Sequence, residues 1–375
     1  MASISVATRL WIRSFNWPLA IASVLVTLLG LITIQSANLH AGAAAAGEYR
    51  KQAFSMILGV ALMLFLANVD YRNWRRWAPF AYGATVLLLI FILLAGHHAQ
   101  GAVRWISLGP LGQFQPSEPA KLFVAITIAA ALCHGTYKRL TDMWVPLVLA
   151  FVPAILILRQ PDLGTTLVIL AILTTQLYFG LPRLAHFGAY FAALVLSAAV
   201  LLKTNMIKPF QKARLLVFLN PKLDPQGAGY NLNQSKIAVG NGGWFGQGLH
   251  HGTQTQLNFV PEHSRDFVFT VLGEELGFAG AVLLLILYSV IIFGGIRAML
   301  VARDRFGYLL AAGLVAMLVF HVMVNIGMTI GIMPITGIPL PFMSYGGSAI
   351  LTDYAAIGIL LNIYSQKDRG VLGNA

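Results

Sequence analysis

The chain has 375 residues, 58% of them hydrophobic and only 10% charged. With a mean hydropathy of +0.75 and several apolar runs longer than the roughly 18 residues that cross a bilayer, it is excluded from the soluble domains. The net charge of +12 does not point to nucleic acid, because no RNA- or DNA-binding motif accompanies it and cations spread over membrane loops give the same sum.

Hydropathy predicts spans near 17–37, 52–70, 79–96, 118–134, 144–159, 162–180, 184–203, 268–296, 307–331 and 346–365. The expected fold class is all-α, a polytopic membrane protein of about ten transmembrane helices with a large extracytoplasmic loop between the seventh and eighth. Residues 1–375 read as a single membrane domain that includes the loop 204–267. The first span follows Arg9 and Arg13 and precedes Ala41-Gly42-Ala43-Ala44, which resembles a signal peptide. Its apolar stretch, Trp17 to Ile34, outruns the usual h-region of roughly 7–15 residues, so an uncleaved span is expected. Only Gln160–Pro161 separates the fifth and sixth spans, and proline disfavours helix there, so a tight hairpin is predicted. The single cysteine, Cys133, lies in the fourth span and excludes an intramolecular disulfide.

Orientation follows from the basic residues of the short loops. One set of alternate loops and termini holds Arg9, Arg13, Arg72, Arg75, Arg76, Lys138, Arg139, Arg183, Arg297, Arg303, Arg305, Lys367 and Arg369. The short loops on the other side hold Arg50, Lys51, Arg104 and Arg159. Both termini are therefore expected inside, and the long loop outside.

Ionisable groups in or beside membrane helices are costly, so their positions point to function. Asp70, Asp142, Asp304 and Asp368 fall in inner loops or the tail, as solvated partners of nearby cations, whereas Glu118, Asp162, Glu262, Asp266, Glu274 and Glu275 fall on the outer half. Taken along the chain, Arg104-Trp105 either holds an anion or anchors the interface. Glu118 and Lys121, at i and i+3, can satisfy each other. Asp162 opens a helix and can cap it.

The outer loop starts with Pro209 to Leu219, where Lys212 and Arg214 among large apolar residues predict a short amphipathic helix in the headgroup layer. A turn follows over Asn220 to Pro225. Gln234, Ser235 and Lys236 then precede a glycine-rich stretch, Gly240 to Gly252, which would let backbone N–H groups approach a phosphate or would simply be a flexible loop. At the loop's end Asp266 stands where a capping acid would, and also where a carboxylate at the mouth of a bundle would accept a hydroxyl proton. Helical spacing places Asp266, Thr270 and Glu274 on one face, with Glu274 roughly 12 Å further along. A carboxylate so deep needs a partner, and Lys121 is the cation nominated. His250, His251 and His263 lack a metal-ligand spacing, so no metal is assigned. His321 and Asn325, one turn apart, are expected to bond between helices. Pro334 to Ser348 is too rich in Pro and Gly for a regular helix and is expected to be packed in protein or to line a wet cavity.

Distinctive segments stand in order along the chain: Gly101-Ala-Val-Arg104-Trp105, Phe114-Gln-Pro-Ser-Glu118, Gln160-Pro-Asp-Leu-Gly-Thr165, Gly227-Ala-Gly-Tyr230 and Gln234-Ser-Lys236 in the first two thirds. Pro261-Glu262 with Asp266-Phe267, Glu274-Glu275-Leu-Gly277, Asn325-Ile-Gly327 and Pro339-Leu-Pro-Phe-Met-Ser344-Tyr-Gly-Gly-Ser348 follow. Together and in this order they resemble the SEDS family of membrane glycosyltransferases (shape, elongation, division and sporulation proteins). Asp224-Pro-Gln-Gly-Ala-Gly-Tyr230 and His251-Gly-Thr-Gln-Thr-Gln-Leu257 look like the cell-elongation branch, RodA, rather than the division branch, FtsW.

The resemblance implies a peptidoglycan glycosyltransferase that polymerises lipid II by β-1,4 bond formation with release of undecaprenyl pyrophosphate, for elongation and rod shape. On motif position Asp266 is the implied general base. Arg104, Lys121, Arg214 and Lys236 are the implied pyrophosphate cations, with Glu118, Asp162, Gln234, Ser235, Glu274 and Ser344 as further substrate-binding candidates. No cofactor is implied, a divalent cation being left open. The implied partners are a class B penicillin-binding protein transpeptidase and other elongation-complex membrane proteins, with no nucleic acid. The implied location is the bacterial cytoplasmic (inner) membrane, with the site on its periplasmic face. A lipid-linked precursor flippase or transporter, or a scaffold without turnover, is the competing reading. His263-Ser264-Arg265 departs from the His-Thr pair common before the aspartate, and Arg159 and Asp353 are unusual; neither receives a role.

Overall fold

The computed structural model describes residues 15–38, 42–95, 97–99, 102–107, 113–203, 227–257 and 264–368, with 214, 217, 218, 220, 224, 259, 260 and 262 between them. The chain is an all-α, polytopic membrane protein. In chain order its long helices are α1 Trp17–Ala37, α2 Gly42–Asn68, α3 Arg72–Ala95, α4 Ser117–His134, α5 Trp144–Arg159, α6 Leu163–Gly180 and α7 Leu184–Lys203. After the loop come α8 Ala228–Asn241, the single turn α9 Thr253–Gln256, α10 Val268–Leu300, α11 Arg305–Ile330 and α12 Gly347–Ser365. The predicted amphipathic helix over 209–219 lies almost wholly outside the described residues.

Each expected span falls on one of these helices. Two begin well before their hydropathy cores: α2 opens with Gly42 and a run of alanines ahead of Glu48 to Lys51, and α3 with Arg72-Asn-Trp-Arg-Arg76, so each helix continues beyond its apolar run. Among the described residues eight segments are long and apolar enough to cross a membrane, and α4 and α7 are not among the eight. α4 is instead wrapped by α3, α5, α6, α11 and α12, which is how a helix carrying Glu118 and Lys121 stays buried. The second tight contact joins α2 to α12, where a Cβ on Gly358 would sit 2.7 Å from the Met63 carbonyl oxygen. Small residues let backbones approach in this way where burial from water supplies no drive.

Caps set several helix starts. Asn16 accepts from the Leu19 amide at 3.4 Å, Asp162 from Thr165 at 3.0 Å, and Asp304 from Gly307 at 2.8 Å. The α5–α6 hairpin turns on Gln160–Asp162, as the proline predicts.

Three features run against the sequence reading. A three-stranded antiparallel sheet, β1 His97–Ala99, β2 Ala102–Ser107 and β3 Gln113–Phe114, joins α3 to α4 where no strand was expected. Next, α10 extends over 33 residues and is broken at Gly277, whose φ of 64° and ψ of −159° lie outside the helical region. The break is closed by the glycine-rich loop after α8. Gln247 and Gly248 donate to the carbonyls of Glu274 and Glu275 at 3.0 Å each, while Phe278 and Ala279 donate to Gly243 and Trp244 at 2.9 and 3.0 Å. A Cβ on Gly246 would strike the Glu275 carbonyl, and one on Gly277 would strike the Gly246 amide. Gly242, Gly246 and Gly277 thus serve close backbone packing, which holds this part of the loop against α10. Finally, α10 starts after Asp266, so Asp266 is not on a helical face with Thr270 and Glu274.

The segment between α11 and α12 is irregular and packed in protein, as expected. Phe342 turns it at a φ of 64°. Its amide donates to Asp353 at 3.3 Å, and the Tyr288 hydroxyl donates to the Pro341 carbonyl at 2.6 Å. Backbone groups freed from helix are thereby satisfied.

Candidate active site

Asp266 is placed by stitches from two segments distant in sequence. Its carbonyl accepts from Asn325 Nδ2 of α11 at 2.9 Å, and the same amide group donates to the Ile338 carbonyl at 2.7 Å. One residue earlier, the Arg265 carbonyl accepts from Ser344 Oγ at 2.6 Å, and Ser344 Oγ in turn accepts from the Leu340 amide at 2.8 Å. The Tyr345 amide donates to the Ser264 carbonyl at 2.9 Å. The approach to α10 is thus clamped onto the irregular segment, with Asp266 half-buried at their junction.

A cavity of about 590 Å³ opens beside this junction. Its cations are Arg104, Arg214 and Arg265, and its acids are Glu118, Asp162, Glu262 and Asp266. Arg104, on β2, donates through Nε to the Gln160 carbonyl at 2.8 Å and through a second nitrogen to the Pro161 carbonyl, which fixes the sheet to the α5–α6 hairpin. Asp162 caps α6 and also accepts from Thr165 Oγ1 at 3.0 Å and Gln115 Nε2 at 3.3 Å. Arg265 sits 3.8 Å from Glu48 and 3.5 Å from Glu262, with its guanidinium 5.6 Å from the Tyr345 ring centre.

Removal from water pushes the Asp266 carboxyl up to about 6; Glu262 pushes the same way, and Arg214 and Arg265 pull against it. Burial lowers the Arg214 guanidinium from its ordinary range, opposed by the attraction of Asp266. A carboxylate titrating near 6 is basic enough to take a proton from a hydroxyl yet is ionised at neutral pH.

Of the residues expected at the site, Arg104, Glu118, Asp162, Arg214 and Asp266 line the cavity. Lys121 lies behind Glu118, 2.8 Å from its carboxylate and 3.0 Å from His321 Nε2. Its nomination as the partner of Glu274 is therefore corrected. Glu274 faces away, accepting from the Gln254 and Thr255 amides at 2.7 and 3.0 Å, where a negative charge suits the start of α9. Gln234, Ser235 and Lys236 also lie off the cavity. Ser235 shares a 2.6 Å hydrogen bond with Thr270, and the stem of exposed Lys236 covers Gly331. Ser344 acts from behind, through Arg265. Sequence reasoning missed Arg265 and Tyr345 as cavity residues. The departure noted at His263-Ser264-Arg265 was the available signal for the first. Among the described residues no group of His, Cys, Asp and Glu is arranged to hold a metal.

The chain matches the model of the FtsW/RodA/SpoVE cell cycle protein family over residues 16–369. It is 40% identical over 326 residues to the peptidoglycan glycosyltransferase MrdB of Escherichia coli (strain K12), covering 86% of each chain. Among solved structures it resembles a chain of a peptidoglycan synthase complex, determined to show the coordination of polymerization and crosslinking. The TM-score is 0.81 and the identity 31%, over 94% of this chain and 98% of that one. It also resembles the Thermus thermophilus rod shape determining protein RodA, with a TM-score of 0.69 and 30% identity over 95% and 97% of the two chains.

Proposed function

The chain belongs to the FtsW/RodA/SpoVE (SEDS) family and is a peptidoglycan glycosyltransferase, and from that premise we propose that it polymerises lipid II with Asp266 as general base. The acceptor's sugar 4-hydroxyl gives its proton to the Asp266 carboxylate as its oxygen attacks the anomeric carbon of the lipid-linked donor. The bond from that carbon to the diphosphate breaks, and undecaprenyl pyrophosphate leaves with the electron pair. The observation that carries this reading is the juxtaposition, in one cavity, of Asp266 with Arg104, Arg214 and Arg265. Three cations would neutralise charge growing on the leaving diphosphate, and a guanidinium matches phosphate oxygens two at a time. Asp162 and Glu118, already committed to a cap and to Lys121, would shape the wall rather than exchange protons.

The same reading makes residues 1–375 one domain of the inner membrane, with both termini cytoplasmic and the cavity facing the periplasm. The likeness to a chain of a peptidoglycan synthase complex supports a crosslinking transpeptidase as partner. The test is polymerisation of fluorescent lipid II by purified protein together with that transpeptidase. Asp266→Asn is expected to lower the rate at least about 100-fold, the scale of general-base catalysis, while lipid II still binds. Equal glycan from wild type and Asp266→Asn would remove Asp266 as base, and transbilayer movement of lipid II without any glycan would favour a flippase.

A further inference from the structure

The spanning part of α10 begins at the break. All 33 residues of α10 measure about 50 Å, well over the roughly 30 Å of hydrocarbon, whereas the piece after Gly277 measures about 34 Å and matches it. The acids agree, since Glu274 and Glu275 both precede Gly277 and the continuation to Arg297 is uncharged. Phe278 therefore marks where the helix enters the bilayer. Below it, Leu285, Phe293 and Leu300 recur every seven or eight residues, all exposed, as the outward stripe of the helix.

The glycine-rich loop is locked to this level. Its carbonyls at Gly243 and Trp244 take the first two amides of the spanning piece, so Trp244 and Phe245 cannot drift in depth. Both side chains project outward, Trp244 72% exposed and Phe245 86% exposed, and the Trp244 ring meets the edge of Phe278 at 5.2 Å. No Lys, Arg, Asp or Glu occurs between Lys236 and Glu262. Two large rings held rigidly in an uncharged loop, continuous with an outward apolar stripe, have the composition and position of an interfacial aromatic anchor.

We propose that Trp244 and Phe245 seat in the headgroup–acyl boundary of the cavity-side leaflet, a lipid-binding surface that fixes the depth of the loop and of the α8 helix behind it. The lipid is the occupant, rather than a partner helix, because the uncharged piece of α10 matches the hydrocarbon thickness and the rings stand at its end.

Nitroxide probes test the depth. Trp244→Cys and Phe245→Cys are made in a Cys133→Ala background, labelled, and reconstituted without partner in phosphatidylcholine–phosphatidylglycerol nanodiscs. References are Asn233→Cys on exposed α8 and Phe293→Cys on the stripe. The ratio of oxygen to aqueous nickel-chelate collisions is expected to be at least threefold higher at 244 and 245 than at 233, approaching that at 293. A ratio equal to that at 233 overturns the proposal, and so does low collision with both reagents, which means protein covers the rings. Should the cysteine variants fail to fold, dibromo-phosphatidylcholine quenching of native tryptophan serves instead. The fluorescence component lost in Trp244→Phe is expected to be quenched at least twofold, and an unquenched component overturns the proposal.

Discussion

At the scale of one residue, Asp266 carries an electrostatic compromise. Burial and Glu262 oppose its charge while Arg214 and Arg265 support it, leaving it near 6 rather than at the ordinary 3.8. A base must be ionised, so kcat/KM for lipid II is expected to fall about tenfold per pH unit below pH 6 and to level off above it. Arg265→Gln removes one supporting cation and is expected to move that acid limb to higher pH; a pH–rate profile unchanged by the substitution would place Arg265 outside the field of Asp266. The stability sign is the reverse of a salt-bridged acid. The folded carboxyl binds its proton more tightly than the unfolded one, so stability is lost as pH rises from about 4 through about 6. Asp266→Asn is therefore expected to raise the melting temperature at pH 7.5 and to bring no such gain at pH 4. The position of Asp266 before an apolar run was legible in the sequence. Its environment was not, because Asn325 and Ser344 reach it from 59 residues beyond Asp266 and 79 residues beyond Arg265.

Among the elements, the joint between the loop after α8 and the break in α10 is the one that local rules misread. Glycine repeats there suggested either phosphate binding or slack, since sequence records only that a Cβ is absent. Contact with the Glu275 carbonyl and the Gly246 amide is what requires the absence. Gly246→Ala, at a φ of 80° and with no room for its Cβ, is expected to cost about 2–4 kcal/mol. Gly240→Ala, facing open space inside α8, is expected to gain about 0.5–1 kcal/mol from helix propensity. Thermal unfolding in one detergent compares the two, and similar effects of both would mean that the joint tolerates a side chain. Caps behave differently. Asp162 before α6 and the Gln160–Pro161 turn are read correctly from neighbours alone, because a cap and a proline act within four residues.

For the whole molecule, the pair Glu118–Lys121 is the buried charge on which the bundle closes. It lies on α4, almost fully enclosed, and Lys121 also reaches His321 on α11, 200 residues away. Removing Lys121 leaves Glu118, and Asp353 within the field of the same cation, without compensation in low dielectric. Lys121→Met is expected to cost about 3–5 kcal/mol, and Glu118→Gln combined with Lys121→Met much less than the sum of the single changes. Thermal unfolding in nanodiscs completes the cycle, and additive effects would show that the pair is not coupled. α4 escapes the set of segments apolar enough to cross a membrane, and it is this enclosure that keeps it at the centre.

By itself the amino-acid order determined the apolar helices, the Asp162 cap, the proline hairpin and the clustering of acids on one half, since hydropathy and capping act between near neighbours. It also carried the motifs that placed the chain in its family. Only the tertiary structure decided which charges share a cavity. Arg104, Asp162 and Asp266 meet there, while Glu274 and Lys236, equally plausible on paper, turn away. The reason is physical: the membrane sets which residues are buried one helix at a time, but electrostatic partnership depends on distances between helices, and those arise only when the helices pack.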